Sequence, residues 1–170
     1  NASETTATFT IEDTTAPAVL AQGVTVQLDA NGEASITTAD IDNGSSDVGG
    51  GVSLSLDVTS FDCSDLGDNT VELTATDDCG NAASATVTVV VEDAVAPSIT
   101  APADIAANND AGTCAAVLSL GDATASDNCS FTVTNDAPAS FPVGSTTVTW
   151  TVEDAAGNTA TASQEVVITD

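Results

Sequence analysis

The sequence predicts an all-β chain of tandem sandwich domains, on three observations. Apolar residues alternate with Thr, Ser or acid at a period of two. No segment carries a helical stripe, and marked segments recur about 80 residues apart. Asp13-Thr-Thr-Ala-Pro17 returns as Asp93-Ala-Val-Ala-Pro97, and Ser46-Asp47 as Ser126-Asp127, both at an offset of 80. Gly80-Asn81 returns as Gly157-Asn158 at an offset of 77. Such a period is too long for a solenoid turn and suits an independent sandwich. The reading divides the chain into residues 1–16, the terminal strand of a preceding repeat, then complete repeats at 17–96 and 97–170. It takes the chain as a segment of a longer array.

The strands follow from the alternation. Val24–Leu28, Val52–Leu56, Val71–Ala75, Ala85–Val89 and Thr147–Val152 each alternate in this way, the pattern of a strand with one buried face. Thr and Val suit it because branching at Cβ fits a pleated surface. Asp29-Ala-Asn-Gly32 and Asn109-Asp-Ala-Gly112 are the turns joining the first two strands of each repeat. About seven short strands per repeat fit tandem immunoglobulin-like β-sandwich domains. Trp150 sits at an apolar position of its strand, so it is read as core rather than as a sugar-stacking platform. Phe61 and Phe141 are read as core or edge packing.

Composition then excludes functions. The chain has no Lys, Arg or His and 26 acidic residues, for a net charge of −26. Nucleic acid is excluded because nothing can neutralise phosphate, and an anionic membrane surface would repel the chain. The usual general base is missing with His. The 42% of hydrophobic residues is enough to bury a core, which separates this chain from a disordered acidic one. No run of about 18 apolar residues is present. Self-repulsion on this scale requires an offset, from divalent cations or from high external salt.

Phe141-Pro-Val-Gly-Ser-Thr-Thr-Val-Thr-Trp-Thr-Val-Glu-Asp-Ala-Ala-Gly-Asn158, Ala101-Pro-Ala-Asp-Ile105 and Ser126-Asp-Asn-Cys-Ser130 strongly resemble the HYR (hyalin repeat) domain. Leu28–Ile36, Ala39–Asp47 and Ser60–Asp65 resemble a sister repeat found beside HYR domains. The resemblance is to HYR-type immunoglobulin-like repeats of giant bacterial surface adhesins, including gliding-motility filaments of Bacteroidetes. The resemblance implies extracellular modules, cell adhesion and no catalysis. The chain departs from the family pattern at Ala101 and Ala162, where a Cys pair is absent together, and at Gly49, where a Cys is replaced while Cys79 is gained.

Four cysteines in a chain of secreted type read as two disulfides. Separate domains favour local pairing, giving Cys63–Cys79 and Cys114–Cys129 as the expectation. The first would close a loop of 16 residues, worth about 3 kcal/mol. The second requires the loop at residues 121–130 to fold back. A zinc site lacks the needed Cys-x-x-Cys spacing, and no cation is present to stabilise a reactive thiolate.

Acid-rich turns are the one site-like feature. One end of a sandwich gathers two loops and the incoming linker. For the first repeat these carry Glu12, Asp13, Asp42, Asp47 and Asp77; for the second, Glu92, Asp93, Asp127 and Asp154. Calcium takes six to eight oxygen ligands of this kind, so Ca2+ is the expected cofactor, stiffening the junctions between repeats. Asp, Asn, Gly and Ser are also ordinary turn formers, which is the competing explanation. Asp40-Ile-Asp-Asn-Gly44 resembles the start of an EF-hand loop but lacks its distal Glu. Asp13-Thr14-Thr15 resembles the O-glycan acceptor of Bacteroidetes, making Thr14 the candidate. Asn1-Ala-Ser3, Asn43-Gly-Ser45 and Asn128-Cys-Ser130 are formal N-glycan sequons.

The functional expectation is a structural stalk segment of a secreted cell-surface adhesin or filament, with neighbouring repeats of the same chain as its partners. The alternatives are a module binding surface polysaccharide and a spacer domain of a secreted enzyme. With one Trp and four Phe, aromatic platforms for sugar are scarce.

Overall fold

The alternating segments are strands in the computed structural model, which describes residue 6, residue 9 and residues 11–170. The Asn1-Ala-Ser3 sequon lies outside the described residues, as does half of the strand expected at 1–16. Residues 11–16 carry no strand. The chain divides into two units. Unit 1 comprises Asn1–Val26, Ser35–Ser60 and Gly67–Val91; unit 2 comprises Gln27–Ala34, Phe61–Leu66 and Glu92–Asp170.

In unit 1, β1 (Val24–Gln27), β3 (Val52–Leu56), β5 (Gly67–Asp77) and β6 (Ala82–Glu92) form one sheet in the order β1-β6-β5-β3. The antiparallel β5–β6 register runs from Gly67 opposite Val91 to Thr76 opposite Ala82. Val71, Leu73 and Ala75 point inward and are fully buried with Val89. Isolated antiparallel bridges, Ala18 to Ser46 and Ala21 to Asp42, hold the entering chain against the facing layer. A four-residue helix, α1 (Thr38–Ile41), is a local exception within the all-β plan. The Asp40 carboxylate accepts bonds from Thr37 N and Oγ1, each 2.7 Å. It thereby caps the first turn, a local signal too short to leave a stripe.

Unit 2 repeats this plan. β8 (Ile105–Asn108), β11 (Phe131–Asn135), β13 (Gly144–Asp154) and β14 (Thr159–Thr169) form a sheet ordered β11-β13-β14-β8. Its layer partners are β7 (Ser98–Thr100) with β10 (Thr124–Ser126), and β9 (Ala115–Ala116) with β12 (Phe141–Pro142). Ser98 lies opposite Ser126, the positions 80 residues beyond the Ala18–Ser46 bridge. Both units are therefore immunoglobulin-like sandwiches built to one strand order. Two short strands, β2 (Glu33–Ser35) and β4 (Ser60–Asp62), pair with each other.

The core of unit 2 joins Ala116, Phe141, Val148, Trp150, Val166 and Ile168. Trp150 is only 6% exposed, as its alternation predicts. Its indole N–H donates to Gln164 Oε1 at 3.2 Å. Gln164 in turn donates to Ala103 O at 2.7 Å and Leu120 O at 3.1 Å. A buried amide is tolerated because each of its polar atoms is partnered. At the first-strand turns, Gly32 and Gly112 have φ of +75° and +80°, a region that an L side chain adopts only with strain.

Candidate metal site

The site in each unit starts from one turn. Asp77 ends β5, and its Oδ1 accepts Cys79 N and Asn81 N, each at 2.8 Å. Asn81 Nδ2 reaches Asp77 Oδ2 at 2.8 Å and Asp13 O at 3.0 Å. In unit 2, Asp154 ends β13 and accepts Ala156 N at 2.9 Å and Asn158 N at 2.8 Å. Asn158 Nδ2 reaches Asp154 Oδ2 at 2.8 Å and Asp93 O at 3.0 Å. One Asp-x-x-Gly-Asn turn thus ties the hairpin to the incoming segment in both units. Its only sequence signal was the recurrent Gly-Asn pair, and sequence reasoning did not assign Asn81 or Asn158 a role.

These turns bring three carboxylates together twice: Asp13, Asp47 and Asp77 in unit 1, and Asp93, Asp127 and Asp154 in unit 2. In each triad one oxygen per residue lies within 4.8 Å of the others. Asp77, Asp93 and Asp154 are buried, 7%, 7% and 6% exposed. The remaining expected ligands lie outside the triads. Glu12 is exposed, Glu92 accepts Gln27 Nε2 at 2.6 Å, and Asp42 accepts Ser45 N in its own turn.

Hydrogen bonds keep the turn acids ionised. The side chain of Asn81, then the turn amides, hold the Asp77 carboxyl below its ordinary value against the effect of burial. For Asp154 burial pushes upward most strongly. The bonds from Asn158 and the amides of Ala156 and Gly157 together outweigh it and leave the carboxyl lowered. The side chain of Ser45 lowers Asp42 likewise.

The two triads differ in their unmet acceptors. Asp93 Oδ2, Asp127 Oδ1 and Asn128 Oδ1 are buried and accept no hydrogen bond. All three belong to unit 2. Such groups cost free energy unless something donates to or coordinates them. Two unit charges 4.8 Å apart also repel by about 3 kcal/mol at an effective dielectric of 20. The chain offers no Lys, Arg or His to relieve either term. The clustered groups, three carboxylates, fit a hard divalent cation.

A disulfide closes over the same loop. It joins Cys63 to Cys129, with a Cα–Cα distance of 5.6 Å, while Cys79 and Cys114 are free and exposed. This corrects both expected pairs, and the reason is strand length. Cys63 and Cys79 flank the eleven-residue β5. Cys114 lies at the Gly144 end of β13, where its carbonyl accepts Val143 N. Cys129 lies at the Asp154 end, where Phe131 pairs with Asp154. Eleven extended residues span roughly 35 Å, and a disulfide needs Cα atoms within about 7 Å. The observed bridge closes a chain separation of 66 residues, raising the chain-entropy stabilisation to about 4 kcal/mol. The Asn128 sequon is not free either, because Asn128 Nδ2 donates to Asp29 O at 3.0 Å and Asp93 Oδ1 at 3.2 Å.

The fold and these acidic ends define a tandem β-sandwich repeat with candidate cation sites. Residues 92–168, a little under half of the chain, match the family described as the HYR domain. No curated protein matches the chain. Among solved structures it is similar to Drosophila N-cadherin EC1-4, at 15% identity and a TM-score of 0.47, covering 92% of this chain and 50% of that one. It is also similar to human protocadherin-24 EC1-2, at 12% identity and a TM-score of 0.45, covering 92% and 99%. Human mucin-like protocadherin EC1-2 is similar at 15% identity and a TM-score of 0.41, covering 90% and 98%. The chain spans half the length of the N-cadherin chain. Among the described residues no helix is long and apolar enough to cross a membrane.

Proposed function

We propose that this chain is a stalk segment of a cell-surface adhesin or filament, with repeats at 17–96 and 97–170 that partner neighbouring repeats, and that Ca2+ at the acidic ends stiffens it. The observation that carries the reading is the Asp93–Asp127–Asp154 triad, with buried unmet oxygens in a chain lacking any cationic side chain. A cation held there fixes the segment at residues 93–97 against the β13–β14 turn. A rod of repeats needs this local rigidity because each repeat is supported only by its neighbours. The unit 1 triad with Asp13 is a second, weaker site. Burial of Trp150 and Phe141 removes two of the few aromatics that a polysaccharide platform would use. Thr14 is exposed and open to an O-glycan, which intact-mass analysis of chain from the native source would read directly.

Isothermal titration of the full chain with calcium chloride, against a chelated control, tests the reading. Saturable binding with thermal stabilisation is expected. At one hundred times Kd the stabilisation is about 2.7 kcal/mol. Neither heat nor stabilisation overturns the cation part of the proposal.

A further inference from the structure

Resting on the cation reading above, we infer that the unit 2 site has Asn128 as a fourth side-chain ligand for a hard divalent cation, and that the Cys63–Cys129 disulfide holds its ligand loop in the binding geometry. The orientation of Asn128 is set by its neighbours. Its Nδ2 faces two acceptors, Asp29 O and Asp93 Oδ1. Flipping the amide would set oxygen against oxygen at both contacts. Oδ1 is therefore the orphan atom, buried beside Asp93 and unable to take a proton from any protein donor. Asp93 is 7% exposed, with its own Oδ2 unmet. Two neighbouring side chains, joined by the Asn128 Nδ2–Asp93 Oδ1 contact, thus each keep a buried oxygen without a donor, which a cation would satisfy.

The loop carrying Asp127 and Asn128 belongs to no strand and ends at Cys129. Asp127 Oδ2 accepts Cys129 N at 3.1 Å, so the carboxylate and the cysteine form one local turn. Cys63 Sγ, bonded to Cys129, packs 3.5 Å from Asn128 O and 3.8 Å from Gly32 O; as a disulfide sulfur it has no proton to donate. A Cβ added at Gly32 would meet that sulfur at 2.6 Å and Asn128 O at 2.9 Å, so this packing tolerates no side chain at Gly32. Cys63 itself sits in a one-turn helix, Cys63–Asp65, capped by Asp62 through Ser64 N at 2.7 Å. Both ends of the bridge are thus anchored. In unit 1 the corresponding loop, Ser46-Asp47-Val48-Gly49, has glycine in place of Cys129, and Asp47 accepts Gly49 N at 2.6 Å. Coupling between cross-link and cation is therefore a property of unit 2 and not of unit 1.

The test uses the full chain with Cys79→Ser and Cys114→Ser, to prevent exchange, and Asp47→Asn, to silence the first triad. Calcium is titrated into the oxidised chain and into the chain reduced with dithiothreitol. Reduction breaks the S–S bond with two electrons and two protons, giving two thiols and the cyclic disulfide of the reductant. Calcium affinity is expected to fall at least about tenfold on reduction, the scale of losing a group that orients metal ligands. It should fall comparably in Asn128→Ala with the disulfide intact. By reciprocity of linkage, saturating calcium should slow reduction of the bridge relative to the chelated chain. Circular dichroism checks that the reduced chain keeps its strands, and the Asn128 variant decides the ligand if it does not. Equal affinity in oxidised and reduced folded chains overturns the coupling alone. Unchanged affinity in Asn128→Ala overturns the fourth ligand alone. Absence of calcium binding in the oxidised chain overturns both, together with the reading beneath them.

Discussion

At the scale of single residues, the acidic ends depend on amides as much as on acids. Asn158 bonds the turn at Asp154 and the carbonyls of Asp93 and Val95. Asn158→Ala should cost about 1–3 kcal/mol by urea denaturation, and it should weaken calcium binding because Asp93 loses its tether. Proton linkage gives a second expectation. Asp62 is held below its ordinary carboxyl value, first by the side chain and then by the amide of Ser64. Asp29, Asp40, Asp42, Asp77 and Asp154 are lowered too. A depressed folded value gives stability that is present above the unfolded pKa, near 4, and is lost as pH falls through the folded value. In calcium-free buffer, Asp62→Asn should be less stable than the parent above about pH 4. The two should converge as the pH approaches 2. Parallel stability curves over that range would contradict this assignment.

At the scale of elements, the eleven-residue hairpin strands organise each unit. They carry the buried faces, they place the turn acids at one end, and they set the wrong cysteine pairs far apart. Their central segments were legible from alternation: β3 matches Val52–Leu56, and Val71–Ala75 and Thr147–Val152 lie inside β5 and β13. Their full length was not, because the residues at the ends of β5, 67–70 and 76–77, add no apolar residue to the alternation. That loss hid the disulfide, which depends on which end of a strand each cysteine occupies. The acids Asp13, Asp47, Asp77, Asp93, Asp127 and Asp154 were legible from topology. Asn128 was not, because its role rests on the direction of one amide that spacing does not encode. Within the hairpin of unit 2, Gln164 satisfies Trp150 and two carbonyls. Gln164→Ala leaves these groups unmet beside a new cavity and should destabilise by about 2–4 kcal/mol. The loss should show as a lower urea midpoint and a red-shifted Trp150 fluorescence.

At the scale of the whole molecule, a net charge of −26 without a single cationic residue decides the environment the chain requires. The fold supplies enough apolar burial for two sandwiches, but mutual repulsion works against both. Screening by sodium chloride should raise the melting temperature gradually, since exposed charges respond to ionic strength. A chelating site should respond at far lower concentration and to calcium specifically. The sequence also offers trypsin no Lys or Arg to cleave, so its folded and unfolded states should both survive that protease. That property suits an exposed adhesion repeat. The stalk account depends on the acidic end of unit 2 holding a cation. The measurement closest to that claim is thermal unfolding of the full chain in calcium and in chelator at one fixed ionic strength, beside Asp93→Asn. The account predicts a rise of roughly 10 °C in the parent at one hundred times Kd, with most of that rise lost in Asp93→Asn. Equal melting temperatures in calcium and chelator for the parent would contradict it.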